Sequence, residues 1–187
     1  MFDWIFFLDF DEYLFIEKDH NINQYLYNKR FEKCQSILFN SKIYDDNNLL
    51  HYDNRTLLKR FTHKIDLFCA TKSMVRGGIK NLIIPNTHFS GININYFCNS
   101  EGERIFPRSL FGIKCYNNPN TYIKHFYTKS IGEFCKKLKR GDAHFNKNNP
   151  KYKFIMNKKI VNFFLINKKT KEKIEILNKC LNTKFDI

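Results

Sequence analysis

Cysteine pairs at Cys-x-x-Cys spacing are absent from this chain of 187 residues, although it holds six cysteines. Neither a zinc site nor a dithiol redox motif is therefore indicated. Cys34, Cys69, Cys98, Cys115, Cys135 and Cys180 are expected to be reduced thiols of a cytoplasmic protein. The first residues lack a basic n-region, and Asp3, Asp9 and Asp11 interrupt the opening apolar stretch, so no secretory signal is expected. No segment approaches the length of a membrane span. Internal repeats are missing too, and with only 4 Pro and 7 Gly the chain has no convincing linker. One domain over residues 1–187 is the expectation, with residues 1–145 carrying the chemistry and 146–187 forming C-terminal helices.

Acidic residues are few: 18 Asp and Glu against 32 Lys and Arg leave a formal charge of +14. Such a balance admits nucleic acid, an anionic membrane surface or a phosphorylated substrate as partner, and does not choose among them. Much of the excess falls late, on Lys136, Lys137, Lys139, Arg140, Lys158, Lys159, Lys168, Lys169, Lys171 and Lys173, where a solvated helix face is the plain alternative. A 43% hydrophobic and 17% aromatic content supplies one sizeable core. The abundance of Asn and Lys looks like a composition bias, and the Asn-rich patches read as loops.

The most informative stretch is Trp4-Ile5-Phe6-Phe7-Leu8 followed by Asp9-Phe10-Asp11-Glu12. Five large apolar residues in a row predict a strand covered on both faces, and the acids fall where it leaves the core. In open α/β sheets that edge holds the ligand. Carboxylate oxygens suit Mg²⁺ or Mn²⁺, which commonly bridge protein carboxylates to phosphates. A solvated strand end or a helix cap is the alternative, but unpaired acids beside so much apolar surface carry a desolvation cost that a cation would offset.

Further along, 21–33 has helical spacing and 36–39 predicts a strand. Residues 45–48 form a turn-rich loop, and 56–61 is a short strand or helix. A strand over 72–76 closes at Gly77-Gly78. Short strands are expected at 82–84, 88–89 and 92–97, loops at 99–107 and 116–120, and a strand at 122–127. Ser130-Ile131-Gly132-Glu133 fits a capping box, and Gly141 stops the helix it opens. Two more helices are expected at 152–165 and 170–181.

Taken together, WIFFLDFDEYL at 4–14, LLKRF at 57–61, TKSMVRGGI at 71–79, His88-Phe89, YIKHFYTKSIGEF at 122–134, KRGDA at 139–143 and NFFLINKKTKEKI at 162–174 resemble the glycosyltransferases of families 2 and 92. These are sugar-nucleotide-dependent enzymes of the GT-A fold. The resemblance implies an α/β fold, a GT-A-like mixed sheet with flanking helices and a helical C-terminus. It further implies transfer of a sugar from a nucleotide donor to a glycan or lipid-linked acceptor with Mn²⁺ or Mg²⁺. Asp9 and Asp11 map onto the element that holds metal and donor diphosphate, Asp11 on the ion and Asp9 nearer the ribose or a metal-bound water, with Glu12 behind them. His125 maps onto a late metal ligand or diphosphate contact, or is a hydrogen-bonded strand-end histidine; a structural role suits His88 better. Arg60, Lys72 and Arg76 are candidates to neutralise phosphate.

The acceptor hydroxyl needs a base, and Glu101, Glu103, Glu133 and Asp142 are the acids available late in the chain, with Glu133 better explained by the capping box. The usual Glu-Asp pair does not follow Gly77-Gly78, and Gly132 stands where an acid is expected. Family members place a nucleotide-binding βα unit ahead of the Asp-x-Asp strand, which here begins at Trp4. The expectation is therefore a C-terminal portion, incomplete or inactive alone, whose missing part is an upstream segment or a partner chain. Two other functions compete. A haloacid-dehalogenase-like phosphatase would use Asp9 as nucleophile and Asp11 as acid/base, but Tyr13 replaces a small residue of that motif and Asp45-Asp46 comes too early for its last metal pair. A basic nucleic-acid-binding module would use the interleaved aromatics.

Overall fold

A computed structural model of the chain describes residues 2–68, 71–84, 88, 94–106, 120–141 and 148–183. It is α/β, with two mixed sheets and five helices among those residues. The chain forms two compact units, one of residues 1–43 with 66–125 and one of residues 44–65 with 126–187.

The first unit begins with β1 (Trp4–Phe6), β2 (Glu12–Ile16), α1 (Ile22–Leu26), a single 3-10 turn at Lys29–Phe31 and β3 (Ser36–Phe39). All four β3 residues are buried, the apolar Ile37-Leu38-Phe39 as expected of a central strand and Ser36 with them. The strands β6 (Lys72–Arg76), β7 (Phe97–Asn99) and β8 (Arg104–Ile105) complete a five-stranded sheet of order β1-β6-β3-β7-β8. Within it β3 runs parallel to β7, and the other pairs are antiparallel. A four-stranded sheet has the order β2-β9-β4-β5, from β4 (Ser41–Tyr44), β5 (Lys64–Phe68) and β9 (Thr121–His125). Tyr25, Phe31, Ile37, Phe39, Met74 and Ile123 form the main core, against which Trp4, Phe6, Leu14 and Ile16 pack.

The fold departs from the sequence expectations in several places. The opening apolar run is not a strand buried on both faces: only Trp4–Phe6 pair, with one neighbour at the sheet edge, half-buried. Phe7 and Leu8 lie beyond it, 46% and 39% exposed. An apolar run of this length does not by itself tell a central strand from an edge strand and its turn. Residues 82–84 are irregular instead of a strand, and the expected loop at 99–107 contains β8. Cys34 and Cys98 are disulfide-bonded, not reduced, where β7 lies beside β3. Of the strands expected at 88–89 and 92–97, residues 89, 92 and 93 lie outside the described residues; His88 is in a turn, 94–96 are irregular, and Phe97 begins β7.

Gly77 is required by a close approach: its N–H donates to the Asp3 carbonyl at 2.8 Å, and a Cβ there would run into the Phe2 carbonyl. That contact fixes the outer end of β1 against β6.

In the second unit lie α2 (Leu57–Arg60), α3 (Ile131–Arg140), α4 (Pro150–Ile166) and α5 (Lys171–Leu181). The Ser130 hydroxyl accepts from the Glu133 N–H while the Glu133 carboxylate accepts from the Ser130 N–H, and Gly141 ends α3 at φ 83°, as the sequence predicted. Phe134 of α3 stacks on Phe163 of α4 at 4.7 Å, and Ile131, Leu138, Ile160 and Leu177 close the cluster. Burial, together with the Cys180 thiol beside it, pushes the Cys135 thiol up to about 12. None of the described helices is long and apolar enough to cross a membrane.

A buried ion pair ties the start of α5 to the 45–48 loop. Lys173 Nζ lies 2.6 Å from Asp46 Oδ2, and both side chains are almost fully shielded. Removing one partner strands the other charge, so Lys173→Met is expected to cost about 3–5 kcal/mol, and Lys173→Met with Asp46→Leu far less. Urea denaturation of the single and double variants checks this. A single variant within about 0.5 kcal/mol of the parent would show the pair to be idle.

Candidate active site

The Asp-x-Asp stretch is the turn by which the chain leaves β1 and enters β2. It is closed locally: the Glu12 N–H donates to the Asp9 carbonyl at 3.0 Å, and the Asp9 N–H to Glu12 Oε2 at 3.1 Å. Three strands then bring chemistry to this turn. Because β1 and β6 are antiparallel with Phe6 opposite Met74, the end of β1 meets the beginning of β6, where Lys72 stands. Because β2 and β9 are antiparallel with Glu12 opposite His125, the last residue of β9 meets the first of β2.

Lys72 is the centre of this cluster. Its Nζ lies 2.9 Å from Asp9 Oδ2 and 3.0 Å from Glu12 Oε2. The lysine and Glu12 side chains are 1% and 2% exposed, whereas Asp9 is 67% exposed. Burial opposes the Lys72 charge, but the hydrogen bond to Asp9 and the Glu12 carboxylate hold it above the usual lysine range. Burial likewise pushes the Glu12 carboxyl above the usual range, against the pull of the Asp9 N–H and the Lys72 ammonium. On the other side of Glu12, His125 Nδ1 lies 3.8 Å from Glu12 Oε1, and its Nε2 lies 3.8 Å from Asp11 Oδ1.

The structure thus brings together Asp9, Asp11, Glu12, Lys72 and His125. Arg76 is on the same strand as Lys72 but at its other end, where the guanidinium donates to the Phe31 and Cys34 carbonyls and lies over the Trp4 ring. Arg60 belongs to the second unit, where it makes a two-pronged pair with Glu133 at 2.7 and 3.1 Å. Burial works against the Glu133 charge, yet bonds from Arg60 and Ser130 hold its carboxyl below the usual range. Glu101 and Glu103 sit in the β7–β8 hairpin, bonded to the Asn120 N–H and to the Asn99 side chain. His88 Nδ1 is 3.0 Å from the Thr71 carbonyl, next to Lys72 in sequence. Asp142 lies outside the described residues.

Among the described residues no group of three or more His, Cys, Asp or Glu side chains is arranged to hold a metal ion unaided. The donor chemistry nevertheless fits a hard or borderline divalent ion. Asp11 and His125 offer one carboxylate and one imidazole, and Mg²⁺ in particular is often held by one or two carboxylates with substrate phosphates supplying the rest. Sequence reasoning named all five residues but not the Lys72 bridge, which depends on pairing between segments 63 residues apart. Comparison of the chain with family models, curated proteins and solved structures gives no match.

Lys72→Met should leave Glu12 buried without its counter-charge, costing about 3–5 kcal/mol at neutral pH. A carboxyl raised in the folded state contributes stability that is present below its unfolded value of 4.5 and lost as pH rises through the folded value. Without Lys72 the folded value climbs further, so the deficit relative to the parent should shrink on going from about pH 7.5 to about pH 5. Urea denaturation at the two pH values measures it. A deficit that does not change with pH would mean that Glu12 does not carry the charge ascribed to it.

Proposed function

We propose that the chain is a metal-dependent glycosyltransferase of GT-A-like fold that moves a sugar from a nucleotide donor to a glycan or lipid-linked acceptor. The observation that supports this most is the convergence of Asp9, Asp11, Glu12, Lys72 and His125 on one turn, drawn from the two sheets of a single unit. The resemblance of the surrounding segments to glycosyltransferases of families 2 and 92 gives that cluster its chemical reading.

In this reading Asp11 and His125 hold Mn²⁺ or Mg²⁺ together with the donor diphosphate. When bound, the ion supplies Lewis-acid stabilisation of the charge that develops on the departing nucleoside diphosphate. Lys72 fixes the Asp9 carboxylate at 2.9 Å, and the exposure of Asp9 leaves it available to a ribose hydroxyl or a water on the ion. Glu12 is a supporting residue: buried, bonded to the turn backbone and to Lys72, it sets the shape of the turn. Arg76 and Arg60 hold the fold through carbonyls and through Glu133, and neutralise no phosphate in this scheme. Glu133 is committed to its helix cap and to Arg60, so it serves as no base.

Asp11→Asn is expected to abolish manganese-dependent transfer or hydrolysis across a panel of sugar nucleotides, a loss of at least about a hundredfold, with the thermal unfolding midpoint little changed. Asp9→Asn should impair the same activity less. Parent-like activity and manganese affinity in Asp11→Asn would overturn the metal role. Covalent phosphorylation of Asp9 by a phosphoester, seen by mass spectrometry, would replace the reading with a phosphatase.

A further inference from the structure

The helix α4 is apolar on two opposite sides. One side is the core face already described, with Ile160 and Phe163 buried. The other carries Phe154, Val161 and Leu165, which are 68%, 55% and 70% exposed. Their spacing of seven and four residues, with Lys158 between them, places all four on one stripe. A surface helix of an ordinary soluble domain puts polar residues there, and three large exposed apolar side chains in a row need an account.

We propose that this stripe of α4 is a docking surface for an anionic lipid bilayer, with the helix lying in the plane of the headgroups. Charge argues for the occupant. From Pro150 to Ile166 there is no Asp or Glu, while Lys151, Lys153 and Lys158 are exposed beside the apolar side chains, and exposed Lys168 and Lys169 follow at the end of the helix. On the outward side of the helix, apolar side chains would enter the acyl boundary while lysine stems reach outward to phosphates. A second copy of the chain fits poorly, because a two-fold contact on this stripe brings two rows of lysines together with no acid to pair them. Nucleic acid would use the lysines but leave Phe154, Val161 and Leu165 without a partner. Of the late basic residues on α3, Lys137 donates to the Tyr127 carbonyl at 3.1 Å.

Co-sedimentation of the full chain with vesicles tests the surface without donor or metal, so its outcome is separate from that of the transferase reading. Vesicles of one part phosphatidylserine to two parts phosphatidylcholine should bind the chain, and pure phosphatidylcholine should bind it far less. Phe154→Ser with Leu165→Ser should weaken binding to the anionic vesicles by about tenfold or more. Lys151→Glu with Lys158→Glu should weaken it in the same sense. Circular dichroism should show both pairs folded, since all four side chains are exposed. Absence of binding to either vesicle overturns the proposal, as does anionic binding untouched by the Phe154 and Leu165 changes. So does a dimer in light scattering that those two changes dissolve, which would assign the stripe to a second copy.

Discussion

A lysine ammonium sealed between two carboxylates is the constraint on which the first unit depends. Lys72 begins a strand inside the sheet, Asp9 and Glu12 belong to the turn that passes from one sheet to the other, and the three meet only if β1, β6 and β2 are all in place. A buried lysine without such partners would carry a penalty of several kcal/mol, so the ion cluster and the strand arrangement specify each other. The same contact decides which carboxylates face outward. Glu12 is drawn inward and held, Asp9 is held by one oxygen and remains exposed, and Asp11 is turned toward His125. A site whose ligands are fixed by neighbours before anything binds costs less to organise when a ligand arrives.

The second unit solves its buried charges in the same manner and with different consequences. Arg60 and Glu133 form a paired fork, and Lys173 and Asp46 a single close contact, each joining segments far apart in sequence. These shielded pairs join helix to helix and helix to loop, which separates them from the half-open cluster of the first unit. Exposure distinguishes the two kinds of buried charge: the structural pairs have no side chain comparable to Asp9, open to solvent on one side and held on the other.

Features written in a few neighbouring residues were legible in the sequence. The Ser130 and Glu133 box, the Gly141 stop and the apolar Ser36–Phe39 strand all came out as read, because caps and buried runs depend on local chemistry. Strand β2 was missed, since Glu12–Ile16 follows the turn at once and lacks a break that would announce a new element. Strand β1 was read as central because large apolar side chains look alike at a sheet edge and in a sheet middle. The pairing of Cys34 with Cys98 and the juxtaposition of Glu12 with His125 were beyond reach, each set by sheet register across the length of the unit. His125 had entered through the resemblance alone.

The central claim is that Asp11 and His125 supply only two donors to a divalent ion, about a third of an octahedral shell, and that a donor diphosphate supplies more. Electron paramagnetic resonance of Mn²⁺ titrated into the chain, with and without UDP, GDP, ADP or CDP, addresses this directly. The account predicts weak manganese binding by the protein alone, and at least about tenfold tighter binding with one or more of these diphosphates than the same diphosphates achieve in buffer. Manganese affinity that is indifferent to every diphosphate, whether tight or absent, would contradict it.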